Sequence, residues 1–249
     1  MRLAAPGTAS AAAISVVPPA LTHQRIVAPA RSADGGVVAG LRPGRQQLVV
    51  GGLTGPLRVR ATAARLSAPA FDPAGDVFVA ASSPIGEQII EVPASGPARR
   101  VLLPAAVRGK LIDDLAISRD GSRIALVVGP PRDAALEVGT ISSLPDHPTV
   151  HDLSPILPFA RGVAGVAWLS ASEIVTTARS QPGHRSVIDV SIDGYQQQVL
   201  PTAGAPPAPR QVAAAPGQRV LISANGGIWS LSGSAWARRV SGTDPSYAG

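Results

Sequence analysis

A chain of 249 residues that is 45% hydrophobic can bury a sizeable core, while the absence of cysteine excludes disulfides, zinc–thiolate sites and a thiol nucleophile. Its net charge of +6 is carried almost wholly by arginines scattered along the sequence, without the clustered basic stripe and aromatic partners that nucleic-acid binding requires. No run reaches the ~18 uninterrupted apolar residues of a transmembrane helix.

Residues 1–24 pair Arg2 with an alanine-rich run over 9–17, diluted by Ser10 and Ser15 and followed by Pro18-Pro19. That pattern is a poor imitation of a secretory signal and reads as an irregular N-terminal segment or a partial strand. From 25 to 249 the sequence consists of short apolar runs rich in Val and Ile, bounded by Gly, Pro, Asp or Ser, which are strands separated by turns. Helical periodicity is nearly absent, the best candidate being a turn or two over 104–110.

In chain order, strands are expected at 37–41, 47–51 and 57–61, then at 76–82, 88–92 and 99–103. A more complete group follows at 115–118, 123–129, 135–141 and 149–153, with Pro130, Pro131 and Pro145 outside the strands. Next come 186–191, a hairpin turn at Asp193-Gly194, and 196–200. After the proline-rich stretch 201–209 the last group has strands at 220–224, 228–231 and 235–240. There Asn225-Gly226 is the preferred pair for a type I′ turn, because both central residues need positive φ.

A motif of small residue, turn and apolar strand punctuates these groups. It reads Ala30-Arg31-Ser32-Ala33-Asp34-Gly35, Ala70-Phe71-Asp72-Pro73-Ala74-Gly75 and Ala116-Ile117-Ser118-Arg119-Asp120-Gly121, with worn copies turning at Ser172 and Gly217. The turn positions Gly35, Gly75, Gly121, Ser172 and Gly217 are 40, 46, 51 and 45 residues apart, the period of four-stranded propeller blades. The expected fold is an all-β propeller of five to six four-stranded blades over 25–249. In the six-bladed case the N-terminal segment supplies or completes the missing blade. The small residue before each turn belongs to the strand beside the central channel, and the Asp-Gly pair turns the chain outward.

Chemistry-bearing constellations are few. His147 and His151 lie four apart between Asp146 and Asp152, but Pro148 opposes a helix, and a strand would separate them by about 13 Å, too far for one ion. Asp113-Asp114 reads as a turn into an inner strand. The sequence has no nucleophile elbow and no phosphate-cradling glycine loop. No catalytic, cofactor-binding or metal residue is assigned and no cofactor is expected. Trp168, Trp229 and Trp236 are expected to pack in the core or between blades, the last two covering one sheet face. The alternative is a propeller-fold hydrolase or lyase holding a metal in the central channel through Asp113, Asp114, His147 and His151.

The segment Ser118-Arg119-Asp120-Gly121-Ser122-Arg123-Ile124-Ala125 is similar to the repeat of TolB-type bacterial propellers. Further ordered pieces are Gly165-Val166-Ala167-Trp168-Leu169, Val190-Ser191-Ile192-Asp193-Gly194, Gly227-Ile228-Trp229, Trp236 and the ending Gly242-Thr243-Asp244-Pro245-Ser246-Tyr247-Ala248-Gly249. Together they resemble the C-terminal propeller of the actinobacterial LpqB lipoproteins. The resemblance implies a non-enzymatic, extracytoplasmic envelope protein that assists the MtrA–MtrB two-component system by contacting the extracytoplasmic region of the sensor histidine kinase. It transfers no catalytic residues, because the matching positions are turn and packing residues. That family normally begins with a lipoprotein signal and an acylated cysteine, which tether it to the membrane, followed by a germination-protein-type domain. This chain carries neither, and is expected to be a detached propeller without that anchor.

Overall fold

The computed structural model describes residues 25–84, 86–143, 147–181, 184–215, 219–242 and 245. The expectations placed on 1–24, on the turn at Gly217 and on most of the 242–249 ending lie outside the described residues.

Five antiparallel sheets follow one another along the chain. Blade one is β1 (Val27–Arg31), β2 (Val37–Leu41), β3 (Gln47–Gly52) and β4 (Arg58–Thr62). In blade two the inner strand is split into β5 (Arg65–Leu66) and β6 (Ala70–Phe71). Both pair with β7 (Val77–Ser83), and β8 (Gly86–Val92) and β9 (Arg99–Val101) follow. Blade three has β10 (Ile112–Ile117), β11 (Arg123–Val128), β12 (Ala135–Ser143) and β13 (Pro148–Pro155). Blade four has β14 (Arg161–Trp168), β15 (Glu173–Gln181), β16 (His184–Ser191) and β17 (Gln197–Val199). Blade five has β18 (Val212–Ala215), β19 (Arg219–Ala224), β20 (Gly227–Ser232) and β21 (Ala235–Ser241). In each sheet the strands pair in chain order from the inside out, and the inner strands touch in the sequence β1, β6, β10, β14, β18. The described residues therefore build five blades.

Sequence reading named three strands in each of blades one, two and five and two in blade four. It left out β14 and β15 of blade four, the inner strand β18 of blade five, and the inner strands β1 and the split β5/β6 of blades one and two. Pro29 sits inside β1 and Pro69 between β5 and β6, so neither stretch shows an unbroken apolar run. The ladder of blade two nevertheless continues through Ser67, whose N–H donates to the Ala80 carbonyl and whose Oγ accepts the Ala80 N–H, both at 2.9 Å. Residues 104–110 form a turn closed by the Val107 and Arg108 N–H groups on the Pro104 carbonyl.

The core lies between blades. On β11, Ile124, Leu126 and Val128 pack against Phe78, Ala80 and Ile89 of blade two, while the alternate residues Ala125 and Val127 pack against Val166, Trp168 and Ile174 of blade four. A strand buried on both faces needs apolar residues at every position, which is why β11 reads as a continuous run instead of an alternating one. The same arrangement joins blade one to blade two through Leu41, Leu48 and Val79, and blade four to blade five through Val175, Ile222 and Trp236.

The repeated turn is a hydrogen-bonded device. In blade three Ser118 Oγ donates to Asp120 Oδ1 at 2.5 Å and accepts the Arg123 N–H at 2.9 Å, and Asp120 Oδ1 accepts the Ser122 N–H at 3.0 Å. Blade one repeats this with Ser32, Asp34, Gly36 and Val37 at 2.6 to 2.9 Å. In blade two Asp72 occupies the serine position and itself accepts the Asp76 N–H at 2.8 Å. The glycine that closes each motif, Gly35, Gly75 and Gly121, has φ between 71° and 88°, where any Cβ is strained. A Ser118→Ala substitution, at a side chain only 1% exposed, leaves the Arg123 N–H without its acceptor and is expected to cost about 1–3 kcal/mol in urea unfolding.

The central channel as candidate functional site

All five inner strands line one cavity of about 1200 Å³. Alanines and prolines, including Ala30, Pro69, Ala116, Ala167 and Ala213, make up nearly half of its wall, because small side chains are what the converging inner strands can accommodate. Gly165 marks how close they come: a Cβ there would stand 2.7 Å from the Arg210 carbonyl oxygen of the segment entering β18.

Strand direction sorts the rest of the wall to two ends. Inner strands begin, and second strands finish, at one end of the ring, which places Arg132, Arg179, Arg185 and Arg210 together there. The serine–aspartate turns lie at the other end, with Asp72, Ser118 and Arg119 in the wall. Arg119 reaches across from blade three to the Ala214 carbonyl of blade five at 3.5 Å. Its Nε is buried without a hydrogen-bond partner, and burial lowers its affinity for the proton.

Asp113 and Asp114 are not a solvated turn; they belong to the inner strand β10. Asp113 pairs with Arg65 of blade two. Asp114 accepts the Leu115 N–H at 3.0 Å and, across the blade boundary, the Val166 N–H at 3.2 Å. The two acids thus tie three consecutive blades. Burial raises the Asp114 carboxyl to about 7, and the neighbouring Asp113 adds to the rise while the two N–H donors and Arg45 oppose it.

The repeat turns carry carboxylates of opposite tuning. Hydrogen bonds from Ser118 and Ser122 hold Asp120 down at about 2, and Ser32 and Gly36 lower Asp34 in the same way. Asp72 is raised instead, because burial outweighs its backbone donors. In blade four the turn at Ser172 is held by Ser170, whose Oγ donates to Glu173 at 3.0 Å. A third copy of the serine–aspartate device, built on Ser191 and Asp193, closes the β16–β17 turn.

His147 and His151 lie exposed on or beside β13, the outer strand of blade three, with His151 hydrogen-bonded to Ser142 at 3.0 Å. The blade's full width separates them from Asp113 and Asp114, so the structure does not bring the four together. Among the described residues no group of three or more His, Asp or Glu could hold a metal ion. Trp168 is 4% exposed and its indole donates to the Ala116 carbonyl of blade three at 3.1 Å. Trp236 donates to the Pro201 carbonyl at 2.7 Å. Trp229 faces Arg238 across β20 and β21 and belongs with Trp236 to the blade four–five core, though its own indole N–H is buried without a partner.

Sequence reading missed the arginine end of the channel. Arg132 lies between β11 and β12, Arg179 and Arg185 on β15 and β16, and Arg210 ahead of β18, so they form no local cluster and no linear signal announces them.

Known proteins of similar sequence and fold bear on this architecture. The family model described as the lipoprotein LpqB beta-propeller domain matches residues 7–248. Lipoprotein LpqB of Streptomyces avermitilis is 28% identical over 198 residues, covering 74% of this chain and 32% of that protein. The chain therefore spans about a third of the length of that curated relative. Among solved structures, TolB from Acinetobacter baumannii superposes with a TM-score of 0.68 at 17% identity, over 90% of this chain and 57% of that one. A gluconolactonase from Xanthomonas campestris gives 0.62 at 15% identity, over 86% and 75%. At such identities the two structures speak to the fold alone. Because the family model runs through all five blades, inner strands and serine–aspartate turns included, this chain belongs to the LpqB beta-propeller family.

Proposed function

We propose that this propeller is a non-catalytic protein-interaction domain of the cell envelope, accessory to the MtrA–MtrB system through contact with the extracytoplasmic region of the sensor kinase. The match of the family over residues 7–248 carries the reading. A surface feature supports it and suggests where contact occurs. Phe159 and Tyr195 are 92% and 89% exposed, an unfavourable placement for large aromatic rings that interfaces commonly exploit. Phe159 lies between β13 and β14 and Tyr195 in the β16–β17 turn. These loops touch, since a Cβ on Gly194 would stand 2.7 Å from the Ile156 carbonyl oxygen.

Titrating the purified sensor region into this protein by calorimetry is expected to show a saturable complex at about tens of micromolar. The Phe159→Ala, Tyr195→Ala double variant should weaken it at least about tenfold, the loss of one strong aromatic anchor, with no change in thermal stability. No heat of binding from the unaltered protein at that concentration defeats the reading.

A further inference from the structure

The arginine end of the channel is the strongest unexplained charge feature in the molecule. Arg161, Arg179 and Arg185 face one another directly across β14, β15 and β16, and Arg210 enters from the adjoining segment, where its carbonyl accepts the Thr177 hydroxyl at 2.8 Å. Like charges set opposite each other in a sheet destabilise it. Arg161 is turned back onto the Pro158 and Ala160 carbonyls. Arg179, Arg185 and Arg210 line the channel, with Arg132 at the same end, and Arg185 Nη1 donates to the Thr177 carbonyl at 3.3 Å.

No carboxylate hydrogen-bonds to any of these four guanidinium groups among the described residues. The nearby acids are engaged elsewhere: Asp113 with Arg65, and Asp114 with two backbone N–H groups. Burial and the charges of Arg179 and Arg210 all act on Arg185 in the direction that disfavours its own charge. Planar guanidinium forks converging on a walled cavity match the geometry of phosphate and carboxylate oxygens, which they bind in bidentate fashion.

We propose that the end of the channel formed by Arg132, Arg179, Arg185 and Arg210 is a binding site for a compact polyvalent oxyanion, a small molecule bearing phosphate or carboxylate groups. Arg179 and Arg185 hold the anion from adjacent strands, Arg210 closes it from the blade five side, and Arg132 covers it from the neighbouring loop. The anion offsets the repulsion that the cross-strand pair creates. This inference concerns the channel wall and is independent of the sensor-kinase reading, which rests on the outer loops.

The test is calorimetry and thermal unfolding in low salt with inorganic tripolyphosphate, citrate and a hexaglutamate peptide as separate probes. Tripolyphosphate or citrate at about 1 mM should bind and raise the melting temperature by mass action, and the stronger of the two tells phosphate from carboxylate preference. Arg185→Gln should weaken that binding about ten- to a hundredfold, the value of a charge-assisted hydrogen bond. It should not lower the melting temperature in anion-free buffer, because it removes a like-charge contact. Arg100→Gln, an equal loss of charge on the exposed outer strand of blade two, should leave binding unchanged. Failure of both small anions to bind, equal weakening by Arg100→Gln, or binding of hexaglutamate alone overturns the proposal.

Discussion

Replacing Trp168 with alanine is expected to cost about 3–5 kcal/mol of stability, close to the whole margin of many domains. The side chain is 4% exposed and sits in the largest inter-blade cluster, between Val127 of blade three and Ile174 of blade four. Its indole also donates to the Ala116 carbonyl on the inner strand of the preceding blade. Alanine removes both contributions and opens a cavity at a seam where neither blade can collapse without moving its whole sheet. Trp168→Phe separates the two effects: it keeps most of the apolar packing and loses only the hydrogen bond, for an expected cost of about 1–2 kcal/mol. Urea unfolding of both variants, with unchanged dependence on denaturant concentration, checks the pair. Equal costs would show that the hydrogen bond, and not the packing, holds this seam.

Asp114→Asn is expected to stabilise the protein in mildly alkaline solution and to leave it nearly unchanged in acid. The carboxyl titrates near 3.8 in the unfolded chain and at about 7 when folded, because burial disfavours its charge. Between those values the folded protein holds a proton that the unfolded chain has released. Stability is therefore fully present below about pH 4 and falls as the pH rises through about 7, by up to about 4 kcal/mol at ~1.4 kcal/mol per unit. Asparagine imitates the protonated acid at every pH and keeps one acceptor for the Val166 or Leu115 N–H. At about pH 8 the variant should exceed the unaltered protein by about 1–3 kcal/mol, and at about pH 4 the two should converge. Parallel stability curves across this range would refute the assignment of that titration to Asp114.

Much of the fold was legible because it is written in local chemistry. Ser118, Asp120 and Gly121 close a turn through bonds that span five residues or fewer, and Asn225 and Gly226 take positive φ of 48° and 66°, as a type I′ turn demands. In β11 every residue from Ile124 to Val128 is apolar, so its burial on two faces could be read directly. Inner strands were harder. Pro69 and the short β5 and β6 leave too few residues for a pattern, and their pairing depends on β7 being in place. The Asp113-Asp114 pair looked like a solvated turn, since nothing nearby in sequence reveals that Arg65 and Val166 will meet it from the two flanking blades.

By itself, then, the sequence determined the blade period, the turn devices and the apolar faces, all of which follow from contacts within one repeat. Only the tertiary structure decided what the channel contains. Residues on separate blades become neighbours there because the inner strands converge on a common axis. That convergence gathers Arg132, Arg179, Arg185 and Arg210 at one end and partly buries Asp114 against the Val166 N–H. Electrostatics of this kind depends on distance and burial in the assembled ring, and neither is encoded in the spacing of a single blade.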